Sequence, residues 1–309
     1  MADINLLKPV TVFEQLFERT VCLDGRDPLC HAPLRVSAHV LPSCSGSSFV
    51  KIGHTEVICG VKVKVLPENV NGGRVVCNVE LNDLASRNVH PAFSTSIRAQ
   101  TLSSVLQRII DTIACPDLAS QLNIYTDAKE PVASYLLKLD VIVVVDDGCL
   151  LDACLPAALV ALSCARWPKL IASSPCHYNT TLSESYRPSA CNEFISVKLS
   201  EWPLSLSFCV LAPHLRNPDS CPLIVQPSKR ESTLWDTDAC ELRVTLNANK
   251  RFFDMYMVNS VLSNLTGYIC PSHSQGDAKS SLWEAVFRAS TTFSAHMKDA
   301  INSCLEVSV

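Results

Sequence analysis

Long apolar runs are missing from this chain, and none approaches the ~20 residues that a membrane-spanning helix requires. No Cys-x-x-Cys pair occurs among the 16 cysteines, and Cys30-His31 and Cys176-His177 lack the spacing of a metal knuckle, so no metal site is expected. There is no basic surplus: 26 Lys and Arg stand against 30 Asp and Glu, a net charge of −4. A protein that grips nucleic acid by itself carries such a surplus, so any contact of that kind is local or shared with partners. With 9 glycines and 6% aromatic residues, the chain offers no glycine-rich phosphate cradle and no stacking platform for single strands. His-Glu-x-x-His helices and nucleophile elbows are absent too. Asp3, Lys8 and Glu14 interrupt the start, so no secretory leader is expected. The thiols are then read as reduced and structural, with Cys59, Cys154 and Cys209 packing as small hydrophobes.

What is present is the material of a globular fold: 309 residues, 48% hydrophobic and 18% charged, enough for a large core. Pro9 to Thr20 reads as a short helix. Val57, Cys59, Val61, Val63 and Val65 alternate with Ile58, Gly60, Lys62 and Lys64, a strand with one buried face, entered by a turn at Gly53-His54-Thr55. Lys62 and Lys64 are read as decoration of the other face. Arg74 to Leu81 alternates more weakly. Leu102, Val105, Leu106, Ile109, Ile110 and Ile113 form a helical stripe, with Thr95 or Thr101 as the cap and Pro116 beyond the end. A strand over Leu136–Val145 and a helix over Ala153–Leu162 follow.

Residues 166–192 are rich in Ser, Thr and Pro and read as an irregular connection. Beyond them, strands are expected near Phe194–Leu199, Leu206–Ala212, Leu223–Gln226, Leu242–Asn247 and Phe252–Val258. Gly267–Lys279 reads as an exposed loop. A long helix then begins at Ser281, which has capping-box spacing to Glu284, and carries the stripe Leu282, Ala285, Val286, Ala289, Phe293 and Met297. Helices alternating with strands in two comparable halves argue for an α+β fold.

Two stretches carry more than pattern. The first is Val141-Ile142-Val143-Val144-Val145-Asp146-Asp147-Gly148-Cys149-Leu150-Leu151-Asp152, a buried strand, a tight turn and a helix start. The second runs from Asp24-Gly25-Arg26 into Ser47-Ser48-Phe49-Val50-Lys51-Ile52-Gly53-His54-Thr55-Glu56-Val57-Ile58-Cys59-Gly60-Val61-Lys62. Together they resemble the RNase PH family, and within it the ring subunits of the eukaryotic RNA exosome. The resemblance implies a duplicated β-β-α-β-α fold with helices packed on mixed sheets. It divides the chain into a lead-in over 1–30 and an RNase PH-like domain over 31–304. That domain has a first half at about 31–165, the connection at 166–192 and a second half at about 193–304.

Phosphorolytic members of that family grip phosphate with a Thr-Arg pair just after the turn; those positions here read Leu150-Leu151. Leucine has no donor to offer an anion, and loss of such a donor costs on the order of 10²–10³ in rate. Where relatives carry an aspartate in the second half, this chain has Gln226, which is neither a base nor a strong magnesium ligand. No catalytic residue and no cofactor are therefore expected. Asp236 and Asp238 read as turn residues; Asp147 is read as making its turn, and Asp152 as offsetting the free N–H groups of a helix start. Arg87 matches a Ser-Arg that precedes the RNA-side loop of related subunits, and Arg98 near a helix start is a second candidate RNA contact. The loop after Arg87, Asn88 to Ser94, departs from the family's Gly/Pro-rich pattern.

The resemblance thus points to a catalytically silent ring subunit. Its partners would be other RNase PH-like subunits, S1/KH cap subunits and a hydrolytic exoribonuclease, with RNA passing through the assembled channel and no membrane contact. Nucleus, nucleolus and cytoplasm are the implied compartments. The rival expectation is a phosphate-dependent 3′-to-5′ exoribonuclease, which would require an Arg or Lys near the helix start at Asp152.

Overall fold

The computed structural model describes residues 15–16, 19, 21–66, 73–82, 85, 92–125, 131–172, 186–188, 193–211, 223–234, 239–246, 252–258 and 276–306. Most of the helix read over 9–20 lies outside them, as do Arg87, Asp236, Asp238, residues 173–185 and 189–192 of the connection and residues 267–275 of the expected loop.

The first sheet is built from β1 (Leu34–Ala38), β2 (Gly46–Ile52), β3 (Thr55–Leu66), β4 (Arg74–Leu81), β5 (Asn123–Tyr125) and β6 (Pro131–Val145). Its order is β1-β2-β3-β6-β4, with β5 paired to the start of β6. The hairpin falls where alternation places it: Val57, Cys59 and Val61 are buried and the intervening residues are not, apart from Gly60. All pairs are antiparallel except β4 with β6. That parallel pair needs a long crossover, supplied by α1 (Ala92–Ile109) and α2 (Leu118–Gln121), and α1 packs on β4.

The stripe on α1 is as expected, with Leu102, Leu106, Ile109, Ile110 and Ile113 buried. Its start is not. The helix begins at Ala92, so Thr95 and Thr101 lie inside it, and the Thr101 hydroxyl donates to Ile97 O at 2.9 Å. Interior Thr can satisfy its hydroxyl on the preceding turn, which removes the need for a cap position. The end loosens over Ile110–Ala114 into a wider turn, closed by Cys115 N–H donating to Ile110 O at 2.9 Å.

Helix α3 (Leu150–Cys164) is the centre of the molecule. It packs on β2 and β3 on one side and on β11 (Leu204–Leu211) of the second sheet on the other. Every residue from Leu150 to Leu162 is buried, which is why it shows no amphipathic stripe. Gly46 permits the close approach: a Cβ there would collide with Ala161 O and with the backbone of Ala165.

The second sheet runs β12-β11-β13-β14, all antiparallel, with β12 (Leu223–Val225), β13 (Ala239–Leu246) and β14 (Phe252–Val258). Of the connection after α3, β7 (Trp167–Pro168), β8 (Leu170–Ala172) and β9 (Tyr186–Pro188) are short strands rather than irregular chain. β7 pairs with β10 (Phe194–Ile195), and β10 ends four residues before the expected Leu199. Helix α4 (Lys229–Leu234) starts on Ser228 and Glu231, which form a capping box: Ser228 N–H donates to Glu231 Oε2 at 2.7 Å, and Glu231 N–H to the Ser228 hydroxyl at 3.3 Å. The last helix, α5 (Gly276–Glu306), packs on β1 and β12. It begins five residues before Ser281, so residues 276–279 are helix rather than loop, and Glu284 pairs with Arg288 at 3.0 Å instead of capping. An i,i+4 pair on an exposed face competes easily with a cap role.

Burial has a consequence for alkaline stability. Removal from water pushes the thiols of Cys22, Cys77, Cys115 and Cys154 from 9.0 up to about 12, with Glu231 adding to the effect at Cys22, Asp111 at Cys77 and Cys115, and Asp146 at Cys154. The folded thiols thus hold protons that unfolded thiols release above 9.0. The contribution is whole below that value and is lost as pH rises toward 12. Urea midpoints are expected to stay level to about pH 8.5 and fall steeply by about pH 11, with Cys154→Ala falling less steeply. Equal slopes for the variant and the parent would refute this origin.

Candidate functional site

The turn between β6 and α3 places the carboxylates. Asp146 Oδ1 accepts from Gly148 N–H at 3.1 Å, so Asp146, rather than Asp147, makes the turn with its side chain. Thr55 anchors the turn: its hydroxyl donates to Gly148 O at 2.8 Å and accepts from Asp147 N–H at 3.1 Å. Gly148 sits at φ 103°, a conformation that favours glycine. A Cβ there would also meet Pro227 O at 2.9 Å and Lys229 N at 3.1 Å. The turn is thus pressed against residues 227–229 of the second half, and Lys229 N–H donates to Asp147 O at 2.6 Å.

This contact brings together charges that are distant in sequence. Lys229 Nζ donates to Asp146 Oδ2 at 2.8 Å, and Arg98 Nη1 lies 3.6 Å from the same oxygen. Asp146 is 3% exposed, Lys229 13% and Arg98 43%. Arg98 is therefore placed at the turn, with its guanidinium half in solvent and directed to a carboxylate. The two cations near the start of α3 are supplied by α1 and α4, which no local reading of the turn could show.

Leu150 and Leu151 occupy the first turn of α3 and are 4% and 1% exposed. Neither offers a donor, and both belong to the core. Asp152 is fully buried, and it does more than offset a helix start. Its Oδ1 accepts from the hydroxyls of Ser205 at 2.9 Å and Ser207 at 3.1 Å, and its Oδ2 accepts from Ser207 N–H at 2.8 Å. It joins α3 to β11.

Gln226 is buried and left-handed at φ 49°. Its side-chain Oε1 accepts from Ala32 N–H at 2.9 Å, its backbone N–H donates to Ser207 O at 2.8 Å, and its carbonyl accepts from Arg26 Nη2. Arg26 in turn binds Asp24 at 2.7 Å and Cys30 O at 2.8 Å. The position thus clamps the Asp24-Gly25-Arg26 lead-in onto the second half. Beside it, Glu231 Oε1 accepts from Leu23 N–H at 2.9 Å. The Ser228-x-x-Glu231 spacing was a readable signal for that carboxylate; nothing in the sequence signalled the Lys229 contact.

Chemically, this arrangement is closed. An anion here would find two leucines in place of donors and two cations already shared with Asp146. Among the described residues, no three of His, Cys, Asp and Glu stand together as metal ligands. No described helix is long and apolar enough to cross a membrane.

Residues 32–168 match the model of the 3′ exoribonuclease family, domain 1, called RNase PH. That match spans a little under half of the chain, and the fold as a whole is RNase PH-like. Among curated relatives, the exosome complex component Rrp42 of Sulfurisphaera tokodaii is 34% identical over 54% of this chain and 59% of the relative. The component of the same name from Methanopyrus kandleri is 29% identical over 70% of this chain and 73% of the relative. The chain thus spans between about half and three quarters of the relatives it matches. Two archaeal structures share the fold with TM-scores of 0.63: an Archaeoglobus fulgidus exosome with RNA bound to the active site, and an archaeal exosome core. The first is 19% identical and covers 94% of this chain and 96% of that one; the second is 18% identical, with 96% and 99% covered.

Proposed function

We propose that this chain is a non-catalytic ring subunit of an RNA exosome core, of the ribosomal RNA-processing protein 43 type. In that role it supplies wall and shape to a channel leading RNA to a separate hydrolytic exoribonuclease. Its neighbours are other RNase PH-like subunits, capped by S1/KH subunits, and it works in nucleus, nucleolus and cytoplasm. One observation carries the silent role: the first turn of α3 presents Leu150 and Leu151, both packed into the core, where phosphate would need forked charged donors. The ring setting is supported by relatives that are themselves named exosome components. Those relatives carry the name Rrp42; the 43 subtype rests on the hairpin resemblance alone.

One observation favours the phosphorolytic alternative. Arg98 and Lys229 supply the cations near the start of α3 that such an enzyme needs. Both are drawn to a 3%-exposed carboxylate, so phosphate would have to break a buried ion pair to use them.

The test is purification of the tagged chain from its own cells, identification of co-eluting proteins by mass spectrometry, and an assay for phosphate-dependent nucleoside diphosphate release from single-stranded RNA. The expected result is stoichiometric recovery of RNase PH-like and S1/KH subunits, with no diphosphate release assignable to this chain. Recovery alone or as a homo-oligomer would overturn the ring reading. Phosphate-dependent release by the isolated chain would establish the alternative.

A further inference from the structure

The outward face of the first sheet holds a group of cations that the sequence scatters over 77 positions. In the antiparallel β3–β6 pair, Lys62 stands directly opposite Lys138. In the next row, Lys64 and Arg74 flank Leu136 from β3 and β4. Lys62, Lys64 and Arg74 are exposed, Lys138 is half-buried, and none of the four makes an ion pair among the described residues. Asp140, two residues along on the same face, is not ion-paired with them either. Directly opposed side chains stand with Cβ atoms ~4.5–5.5 Å apart, and like charges there are destabilising. Alternate residues along a strand are ~6.7 Å apart. The four cations therefore form a compact, mutually repelling patch on a chain whose net charge is −4.

We infer that this patch binds the phosphate backbone of RNA. Repulsion tolerated in the free protein is relieved when an anion seats over it, and Lys and Arg on an open face are the groups that contact phosphates. A protein partner fits less well, because Lys is depleted from protein interfaces. The match to the 3′ exoribonuclease family covers Lys62, Lys64, Arg74 and Lys138. The patch lies on β3, β4 and β6, whereas Arg98 and Lys229 meet at the turn after β6; it is a second surface. Its contribution is sequence-independent affinity and register for RNA. The biological setting rests on the ring reading, but the surface does not.

The experiment compares the full chain with Lys62→Thr, Lys138→Thr, their double variant and the quadruple variant that adds Lys64→Thr and Arg74→Thr. Threonine keeps strand propensity, so folding is retained. Fluorescence anisotropy with an unstructured 20-nucleotide RNA is read across a salt series. For single strands the slope of log K against log salt is about −0.7 per phosphate neutralised, so the quadruple variant should lose about 3 from the slope. Its affinity at low salt should drop at least about tenfold. Removing one of two opposed lysines should also raise the melting temperature by about 1–3 °C, a gain in stability alongside a loss of binding. Unchanged affinity and slope in the quadruple variant would overturn the inference. So would unchanged RNA binding together with loss of a co-purifying protein, which would make the patch a protein interface. Because the binding assay uses this chain by itself, absence of ring partners in the purification sinks the ring reading without touching this result.

Discussion

Asp152→Ala is expected to destabilise the fold by about 3 kcal/mol, whereas Asp152→Asn should lose no more than about 1 kcal/mol. The reason lies in where β12 stops. Its pairing with β11 ends at Phe208 with Val225, and Gln226 turns away with φ 49°. Ser207 N–H is therefore left without a strand partner on that edge, and the Asp152 carboxylate supplies one at 2.8 Å. Alanine would orphan that buried N–H and both serine hydroxyls, and would leave a small cavity between α3 and β11. An orphaned buried donor costs ~1–3 kcal/mol by itself. Asparagine keeps one oxygen for the N–H, and the hydroxyls of Ser205 and Ser207 can rotate to accept from its amide. It also removes the burden of a buried charge. Urea denaturation monitored by tryptophan fluorescence separates the cases. If alanine costs the same as asparagine, the carboxylate is not joining α3 to β11.

That contact shows where sequence reading ends. The hairpin at 46–66 was legible because alternation at Val57, Cys59 and Val61 repeats over a single strand. The stripe on α1 was legible for the corresponding reason at helical spacing. The strand–turn–helix around Asp146 was legible from its apolar run and glycine. What joins these elements was not. Asp152 meets Ser207 across 55 residues, Lys229 meets Asp146 across 83 and Gln226 meets Ala32 across 194. Polar contacts of that reach leave no period, because each is one pair rather than a repeating face. Helix ends failed on similar grounds. Ala92 and Gly276 start α1 and α5 ahead of the Thr and Ser that resemble caps, since tertiary packing overrides weak local signals. The cluster of Lys62, Lys64, Arg74 and Lys138 was invisible for want of the β3–β6–β4 register; in sequence, Lys62 and Lys64 were only an exposed face.

Leu150→Thr with Leu151→Arg, which would place charged and polar donors at the start of α3, is expected to unfold the protein rather than give it phosphorolytic activity. Leu151 is 1% exposed, among the largest fully buried side chains, and its neighbours in α3 are buried from Leu150 through Leu162. An arginine on that carbon would need a partner, and the nearby carboxylates are taken: Asp152 by the serines and Asp146 by Lys229. An unpaired buried charge costs at least about 4 kcal/mol, a large part of the stability of a typical domain. Leu151→Met, which conserves volume, should cost less than about 1.5 kcal/mol and serves as the control. The measurements are soluble yield, melting temperature and phosphate-dependent diphosphate release. A well-folded double variant that released diphosphates would mean that a phosphate pocket survives beneath two side chains. Unfolding of the double variant beside a stable Leu151→Met would mean that the core has grown into the pocket. In that case a phosphate grip is not a two-residue change away: the space a phosphate would have occupied has become part of the packing that holds α3 between the two sheets, and selection for stability alone is enough to keep it closed.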